Sequence, residues 1–398
     1  MPPKIARMPF SVYVHVPFCR TRCHYCAFYS GEPLEAAAEY PSWVAAEVLC
    51  RAQRAPTPSP AISTVYLGGG TPSLLGASRV AAILETIHRT WGLLSEAEVT
   101  IEVNPATDLD FSGLRTAGIT RLSLGVQCLD DALLSLLGRP HTAHRALSAL
   151  EAAARSGSES VSVDLLLGLP GARPDALARW VRTVTDAGAR HVSAYSLEVH
   201  PGTALARAAD GGSVALPSPD EEEEQWEAVD EALASCGHGA YEVSNYCAPG
   251  HECRHNLAYW DRSPYVGLGP GAHSFDPAAG AWGRRSWNDA DLAAYSRHLT
   301  AGGLPPGGSE HLTAPESLLE CLFLALRRPV PVDLDHLAAR HHRPPEIITS
   351  RIRQAAAAGL LRADGSSGHR RWRPTREGLR RADGLALWLS EGFPAPPT

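Results

Sequence analysis

The stretch Cys19-Arg20-Thr21-Arg22-Cys23-His24-Tyr25-Cys26 places three cysteines close together with the spacing C-x3-C-x2-C. A closed structural zinc site has four protein ligands, as does an iron–sulfur cluster that is held by the protein alone. Three thiolates therefore leave one coordination position open to a further ligand. Soft thiolates select zinc, Cu(I) or iron–sulfur clusters, and His24 is a candidate fourth ligand for the zinc alternative.

The bulk composition is that of a folded chain in a reducing compartment. Its 398 residues are 44% hydrophobic and carry a net charge of −7 with both signs interspersed, which excludes a disordered chain and does not favour nucleic acid as the main partner. No secretory signal is evident, nor any apolar stretch of about 20 residues. The nine cysteines fit free thiolates better than a disulfide framework, so we expect a cytoplasmic protein.

Short β-rich runs alternate with longer helical stretches from Phe10 to about Ser274. This alternation predicts βαβ units and a parallel sheet, and six units over about 200 residues favour an open (βα)6 barrel over a closed eightfold one. The cysteine stretch directly follows the first strand, which is the face where barrel enzymes place their active sites. The predicted strands are Ser11–Val16, Thr64–Leu67, Glu98–Val103, Arg121–Gly125, Val161–Leu166 and His191–Leu197.

We divide the chain into three regions. Residues 1–275 form the α/β barrel with its attached motifs, residues 276–310 form a linker region, and residues 311–398 form a mainly helical C-terminal domain. Proline and glycine are frequent in Asp276–Gly283 and Ala301–Gly308, which indicates the linker.

Two segments carry strong helix-start signals. Ser218 precedes the acidic run Asp220–Glu224. We interpret this run as a helix start, with Ser218 or Asp220 as the cap and the glutamates near the positive helix end, in preference to a metal site. Thr313 and Glu316 form a capping-box pattern. The helices that follow, with a small hairpin, resemble a winged-helix module. Its many arginines leave nucleic-acid binding open as an alternative to packing or partner docking.

Polar groups mark successive predicted strands. The second strand ends in the glycine run Gly68-Gly69-Gly70, which lets a backbone approach a ligand without a Cβ atom in the way. Glu102, Gln127 and Asp164 occupy the third, fourth and fifth strands. A carboxylate within an apolar strand is costly unless it is paired or faces a ligand. Each alone fits a buried ion pair or a turn cap, but their recurrence favours a ligand-binding face.

The cysteine spacing, with the aromatic Tyr25 before the third cysteine, resembles the signature of the radical S-adenosylmethionine (SAM) enzymes. In that family three cysteines bind a [4Fe–4S] cluster, the amino and carboxylate groups of SAM chelate the fourth iron, and reduction of the cluster cleaves SAM to a 5′-deoxyadenosyl radical. The resemblance implies that Cys19, Cys23 and Cys26 are the cluster ligands. An open iron agrees with a count of three thiolates.

The runs Gly138–His141 and Gly168–Gly171 extend the resemblance to the branch that contains the oxygen-independent coproporphyrinogen III oxidase. It covers about Ser11 to Ser274 strongly and the tail weakly. The resemblance implies a SAM site lined by Tyr13, Tyr25, Gly69, Gly70, Thr71, Glu102, Gln127, Arg139 and Asp164.

Two departures point away from the oxidase itself. Phe28 stands where the oxidase has a fourth cysteine, and only eighteen residues precede Cys19, where the oxidase has a longer extension. Both features resemble the HemW family of haem chaperones, as does the run from His255 to Trp260 with the pattern H-N-x-x-Y-W. Imidazole is a good axial ligand for haem iron, so His255 is the predicted haem ligand, with a structural histidine as the alternative.

The resemblance implies a cytoplasmic haem chaperone that binds a [4Fe–4S] cluster, SAM and haem. It would pass haem to an acceptor haemoprotein such as a respiratory one, with peripheral contact to an acceptor in the membrane, and no nucleic-acid partner. No catalytic residue is assigned, and cleavage of SAM stays open. The alternatives are oxidative decarboxylation of coproporphyrinogen III and modification of a nucleic acid by a radical enzyme. Cys247 and Cys253 flank the haem motif; we favour ordinary thiols over a haem attachment or a metal pair.

Overall fold

Six parallel strands, hydrogen-bonded to one another in sequence order, form the wall of a partial barrel. The computed structural model describes residues 10–54, 61–342, 345–364 and 371–390. All six predicted strands are present with small shifts at their ends, so the expected (βα)6 architecture is confirmed. The strands are β1 (Phe10–Val16), β2 (Ile62–Gly69), β3 (Leu93–Val103), β4 (Arg121–Gln127), β5 (Ser160–Leu167) and β6 (His191–Ser196).

Helices cover the outer face of the barrel. In the second of them the apolar residues recur at helical spacing, and Val80, Ile83, Leu84 and Ile87 are buried against the sheet, which accounts for much of the hydrophobic core. Short 3-10 turns occupy Leu34–Ala38 and Pro72–Leu75. The helices are α1 (Tyr40–Arg54), α2 (Gly76–Trp91), α3 (Phe111–Thr116), α4 (Asp131–Leu136), α5 (Ala143–Arg155), α6 (Pro174–Asp186), α7 (Ala204–Asp210) and α8 (Pro219–Ser235).

Further strands extend both edges of the barrel. Next to β6 lies β8 (Asn245–Cys247), which is antiparallel to β6. Next to β8 lies β7 (Gly239–Ala240), which is antiparallel to β8. Beyond β1 it adds β9, parallel to β1, and then an antiparallel meander. These elements are β7 (Gly239–Ala240), β8 (Asn245–Cys247), α9 (Arg254–Trp260), β9 (Tyr265–Leu268), β10 (His273–Asp276), β11 (Arg284–Asn288), α10 (Leu292–Thr300) and β12 (Gly307–His311).

The region 276–310, expected as a linker, contributes β11, α10 and most of β12 to this extension. The proline and glycine residues that suggested a linker lie at the tight connections between these elements. Gly283, for example, has φ +100 at the turn before β11, a backbone conformation that favours glycine. The composition therefore indicated turns within the sheet and not a spacer between domains.

A second hydrophobic core forms between Leu318 and Leu389. It belongs to a mainly helical unit with one small hairpin, as the sequence predicted. The described elements are α11 (Ala314–Leu326), α12 (Leu334–Arg340), α13 (Pro345–Ala357), β13 (Leu361–Asp364), β14 (Arg371–Pro374), α14 (Arg376–Arg380) and α15 (Ala382–Ser390).

Both predicted helix starts are confirmed as capping boxes, in which Ser218 pairs with Glu221 and Thr313 pairs with Glu316. Of the described helices, none is long and apolar enough to cross a membrane.

Candidate functional site

A cavity of about 560 Å³ opens at the carboxyl ends of the parallel strands. It is the place where loops from successive strands converge, and barrel enzymes use this end for their active sites. Most of the residues that the sequence singled out lie on its wall. The cavity is lined by Cys19, Cys23, Tyr25, Cys26, Gly69, Gly70, Thr71, Glu102, Gln127, Arg139 and Asp164, among others.

The glycine run holds the cysteine loop against the end of β2. Gly70 N donates to the carbonyl oxygen of Val16 at 2.8 Å, and Thr71 N donates to that of Phe18 at 2.7 Å. A Cβ atom on Gly70 would lie 2.6 Å from the Phe18 carbonyl oxygen and 3.1 Å from the Cys19 Sγ. Glycine is therefore required here, because any side chain would push the cysteine loop outward.

The three thiols lie on the cavity wall at intermediate exposure. Cys19 Sγ is 3.5 Å from Thr71 Oγ1, and burial raises the pKa of the Cys19 thiol despite this contact. Raised basicity disfavours a free thiolate in the absence of a cation, and a bound metal reverses that preference.

The His24 ring is hydrogen-bonded to the backbone near the end of α4 and does not join the cysteines as a metal ligand. Its ring Nδ1 is 2.8 Å from the carbonyl oxygen of Leu136, and its backbone N donates to Leu137 O at 2.9 Å. Within the described residues, no three His, Cys, Asp or Glu side chains converge closely enough to bind one metal ion. This arrangement does not favour the single-ion zinc alternative, whereas a cluster distributes its thiolates over separate irons.

Arg139 joins the cysteine loop to β4. Its Nη1 lies 3.3 Å from Cys23 Sγ, and its Nη2 donates to the carbonyl oxygen of Gly125 at 2.6 Å. The Nε atom is buried and has no hydrogen-bond partner among the described residues. The guanidinium also lines the cavity, where its remaining N–H groups suit an acidic ligand.

Two carboxylic acids face the cavity from β3 and β5. Glu102 accepts from Gly69 N at 3.0 Å and from the Tyr66 hydroxyl at 3.1 Å. Burial, with the nearby charge of Asp164, raises the Glu102 pKa to about 7. Burial likewise raises the pKa of Asp164 to about 6, against hydrogen bonds from Ser193 and Ser123. Both acids therefore change protonation near neutral pH.

The structure places Gln127 on the cavity wall and Tyr13 outside it. Gln127 has φ 71 at the end of β4, a left-handed conformation that is uncommon for a non-glycine residue and frequent at functional sites. Tyr13 instead stacks on Tyr66, with ring centroids 6.2 Å apart, and its hydroxyl is 3.2 Å from the His15 Nδ1. Tyr13 thus supports the wall from behind.

His255 lies near the opposite, amino-terminal end of the barrel. It is 1% exposed, and both ring nitrogens have partners: Nδ1 is 2.8 Å from Thr64 Oγ1, and Nε2 is 3.0 Å from the Tyr259 hydroxyl. Burial lowers the His255 pKa to about 3. The imidazole is therefore neutral, enclosed and fully hydrogen-bonded in this conformation.

Helix α9, which carries His255, closes the base of the barrel. The His255 backbone N donates to Glu98 Oε1 at 3.0 Å, and Cys253 Sγ lies 3.5 Å from the same oxygen. Arg121 pairs with Glu98 at 3.7 Å. Cys253 and Cys247 are both buried and form no disulfide.

Sequence reasoning missed the loop that follows β6. Residues 195 to 198 and His200 line the cavity. Leu205, just beyond this loop, donates its backbone N to the His24 carbonyl oxygen at 2.9 Å, which ties the two loops together. The position directly after the last parallel strand was the available signal, because every earlier strand end carries site residues.

These residues fit the cluster and the SAM molecule that the resemblance implies. The donor set consists of three soft thiols on one loop, which suits iron–sulfur ligation. Gly69, Gly70 and Arg139 line the same cavity as the thiols, and a guanidinium is a preferred partner of carboxylates.

Comparison with known proteins gives consistent matches along most of the chain. Residues 13–184 match the model of the Radical SAM superfamily. The chain is 40% identical to the heme chaperone HemW of Mycobacterium tuberculosis (strain ATCC 25618 / H37Rv), over 85% of this chain and 87% of the relative. It is 32% identical to the heme chaperone HemW of Bacillus subtilis (strain 168), over 88% of this chain and 92% of the relative.

A relative from Bos taurus, named radical S-adenosyl methionine domain-containing protein 1, mitochondrial, is 33% identical over 95% of this chain and 87% of its own. Among solved structures, the coproporphyrinogen III oxidase (HemN) of Escherichia coli, described as a radical SAM enzyme, superimposes with a TM-score of 0.79 at 20% identity. The match covers 97% of this chain and 91% of that one, and at this identity it shows a common fold only.

Proposed function

Because this chain belongs to the HemW family within the radical SAM superfamily, we propose that it is a haem chaperone. It binds a [4Fe–4S] cluster and SAM in the barrel cavity and transfers haem to an acceptor haemoprotein. The observation that carries the proposal is the convergence on one cavity of Cys19, Cys23 and Cys26 with the glycine run and the polar strand ends.

The three cysteines hold the cluster and leave one iron free for SAM. When bound, the cluster supplies one-electron chemistry to SAM. The guanidinium of Arg139, with Nη1 3.3 Å from Cys23 Sγ, would stabilise the thiolate of Cys23 and could offer its remaining N–H groups to the carboxylate of SAM. Gly69 and Gly70 lie on the same cavity wall and would face the methionyl part of SAM.

The acidic pair sets the charge of the same site. Glu102 fixes Gly69 through the 3.0 Å hydrogen bond, and burial raises its pKa to about 7. A sulfonium and an ammonium group on SAM favour the ionised form of Glu102 and Asp164. SAM binding would therefore lower the pKa of both carboxyl groups, which would release protons near neutral pH.

Haem ligation by His255 is a separate part of the proposal and requires movement. Thr64 and Tyr259 occupy the ring nitrogens of His255, so iron coordination would need α9 to leave the base of the barrel. The nucleic-acid alternative has little support, because arginines of the C-terminal domain pair with acids of the barrel. Arg380 binds Glu223 and Glu227, each at 2.8 Å.

Anaerobic assays separate the chaperone from the oxidase. The cluster-containing protein, loaded with haem, is mixed with an apo-haemoprotein, and transfer is followed by Soret absorption. A parallel sample receives SAM, a reductant and coproporphyrinogen III. We expect haem transfer without decarboxylation. Steady formation of protoporphyrinogen, or no binding of haem at all, would overturn the proposal.

A further inference from the structure

Strand β4 is irregular where it reaches the cavity. In its pairing with β5, Gly125 lies opposite Asp164 and Gln127 lies opposite Leu165. Val126 is therefore an extra residue between two successive pairs, as in a β-bulge. Gln127 then takes φ 71, which is costly for a residue with a side chain. A bulge beside a site turns a side chain in a direction that a regular strand does not allow, and here Gln127 reaches the cavity wall.

Two side chains from one short segment hold the carbonyl groups of this bulge. Arg139 Nη2 donates to Gly125 O at 2.6 Å, and His141 Nε2 lies 3.1 Å from Val126 O. Because a carbonyl oxygen can only accept, His141 carries its proton on Nε2. The Val126 carbonyl oxygen also accepts from Cys128 N at 3.0 Å. The direction of this carbonyl group is therefore fixed by two donors.

His141 is held firmly behind the cavity wall. It is 6% exposed, and burial, with the charge of Arg139, lowers its pKa to about 4, so the ring is neutral at physiological pH. Pro140 separates the two donor residues and has a fixed φ. Directly after His141, the hydroxyl of Thr142 caps α5 by accepting from Arg145 N at 3.2 Å. The imidazole thus extends from a stiff segment.

The contact of His141 bears on two residues of the site. The carbonyl group of Val126 and the nitrogen of Gln127 belong to one planar peptide unit, so a bond that fixes this carbonyl also fixes φ of Gln127. A Cβ atom on Gly125 would lie 3.0 Å from Gln127 Nε2 and 3.2 Å from Arg139 Nη2. Both side chains therefore lie over the same glycine, and rotation of the peptide would disturb them together.

We infer that His141 is a positioning residue of the SAM site, whose Nε2–H holds the Val126 carbonyl and thereby keeps Gln127 and Arg139 in place on the cavity wall. This inference rests on the proposed binding of SAM in this cavity, and it adds a residue that lies outside the cavity lining. Without the donor, the peptide between Val126 and Gln127 can rotate, relieve the positive φ and turn the amide of Gln127 away from the wall.

Equilibrium binding of SAM to the cluster-containing protein tests the assignment, together with electron paramagnetic resonance (EPR) of the reduced cluster. We expect His141→Leu to weaken SAM binding by about fivefold or more, which corresponds to one lost hydrogen bond. Its EPR spectrum should match that of wild type without SAM and differ from it with SAM. His141→Gln places an amide N–H near the position of Nε2 and should restore most of the affinity. His141→Asn is too short to reach Val126 O and should bind SAM as weakly as His141→Leu.

His238→Leu is the matched control. The His238 ring is 5% exposed, and its Nε2 lies 3.2 Å from the carbonyl oxygen of Ala189, before β6 at the other end of the barrel. Its removal costs a comparable buried contact far from the cavity. We expect a lower urea midpoint in both His238→Leu and His141→Leu, but weaker SAM binding only in His141→Leu.

Wild-type affinity for SAM in a folded His141→Leu, or an equal loss in His238→Leu, would overturn the inference and leave the SAM site itself intact. Equal weakening in His141→Gln and His141→Leu would also overturn it, because the volume of the ring and not its N–H would then be the cause. A wild-type protein that holds its cluster and does not bind SAM would instead overturn that part of the proposed function, and the role of His141 with it.

Discussion

The Nη1 atom of Arg139 lies 3.3 Å from the Sγ of Cys23, while Nη2 of the same side chain donates to the Gly125 carbonyl oxygen at 2.6 Å. One guanidinium therefore connects the cysteine loop with the end of β4. Its third nitrogen, Nε, is buried without a partner among the described residues. The side chain is therefore anchored by two contacts, and three of its five N–H groups have no part in them.

Two substitutions of Arg139 should distinguish the contribution of its charge to SAM binding from that of its guanidinium shape. We expect Arg139→Gln to weaken SAM binding by about tenfold or more, because a charged hydrogen bond contributes about 1.5–3 kcal/mol. Arg139→Lys keeps the charge but loses the fork that reaches both Cys23 and Gly125, so it should recover only part of the affinity. Equilibrium binding of SAM to the cluster-containing variants measures this. Equal affinity in wild type and Arg139→Gln would show that the free donor does not meet SAM.

The protein without SAM should lose stability as pH rises toward neutrality. In the folded chain the pKa of Glu102 is about 7, whereas in the unfolded chain the same carboxyl group has its ordinary pKa of 4.5. Between these values the folded state binds more protons, so the free energy of unfolding falls as pH rises, by about 1.4 kcal/mol for each unit of pKa difference at most. Asp164 adds a fall in the same direction, up to about pH 6.

Glu102→Gln removes the cost of ionising a buried carboxyl group and keeps a side-chain oxygen that can accept from Gly69 N. We expect its urea midpoint at pH 8 to equal or exceed that of wild type, and its stability to depend less on pH. The same variant should bind SAM more weakly, because it cannot become negative. Identical pH profiles of the two proteins would mean that Glu102 is not the titrating group.

Gly70→Ala should damage the cysteine loop through sterics alone. The added Cβ would lie 2.6 Å from Phe18 O and 2.9 Å from Val16 O, both backbone atoms that cannot move cheaply. We expect a loss of about 1–3 kcal/mol in unfolding free energy and reduced cluster content after reconstitution. Gly384→Ala is the control, because nothing lies within 4 Å of its Cβ. Full cluster content in Gly70→Ala would contradict the tight packing between the glycine run and the loop.

Arg380 should contribute to the attachment of the C-terminal domain to the barrel, alongside the ion pairs of Arg328 with Asp261 and of Arg376 with Asp230. Arg380 binds Glu223 and Glu227 at 2.8 Å each and lies over the Trp226 ring, 4.5 Å from its centroid. We expect Arg380→Ala to destabilise the chain by about 1–2 kcal/mol. Arg381→Ala should have little effect, since that side chain is 66% exposed and, in the described part of the chain, forms its ion pair with Glu377 of the adjacent helix α14. Urea unfolding compares the two variants, and equal midpoints would exclude this role.

Much of the barrel followed from local patterns. The six parallel strands have apolar or alternating runs bounded by turn residues, and such runs are legible in a single sequence. Strands β10 to β12 were missed because glycine and proline near Asp276 and Gly307 masked short antiparallel segments, whose pairing depends on distant neighbours. Their stability comes from the sheet edge that β9 provides, not from their own composition.

The candidate site was likewise predictable in part from the sequence. Cysteine spacing and strand-end polarity pointed to the cavity, because parallel strands bring their carboxyl ends together whatever the side-chain detail. The sequence could not show how deeply a side chain is buried. Tyrosine and histidine often bind ligands, yet Tyr13 stacks on Tyr66 behind the cavity wall, and His255 is 1% exposed at the base of the barrel. Which face of a helix such as α9 is buried depends on residues far away, here Glu98 and Thr64.

EPR of the anaerobically reconstituted and reduced protein, with and without SAM, tests the cluster site most directly. Ligation by Cys19, Cys23 and Cys26 predicts a [4Fe–4S] signal that changes when SAM is added, that is lost in Cys23→Ala, and that persists in Cys50→Ala, since Cys50 lies on α1 outside the cavity lining. A cluster signal that ignores SAM, or that survives intact in Cys23→Ala, would contradict a three-cysteine cluster with an iron open to SAM.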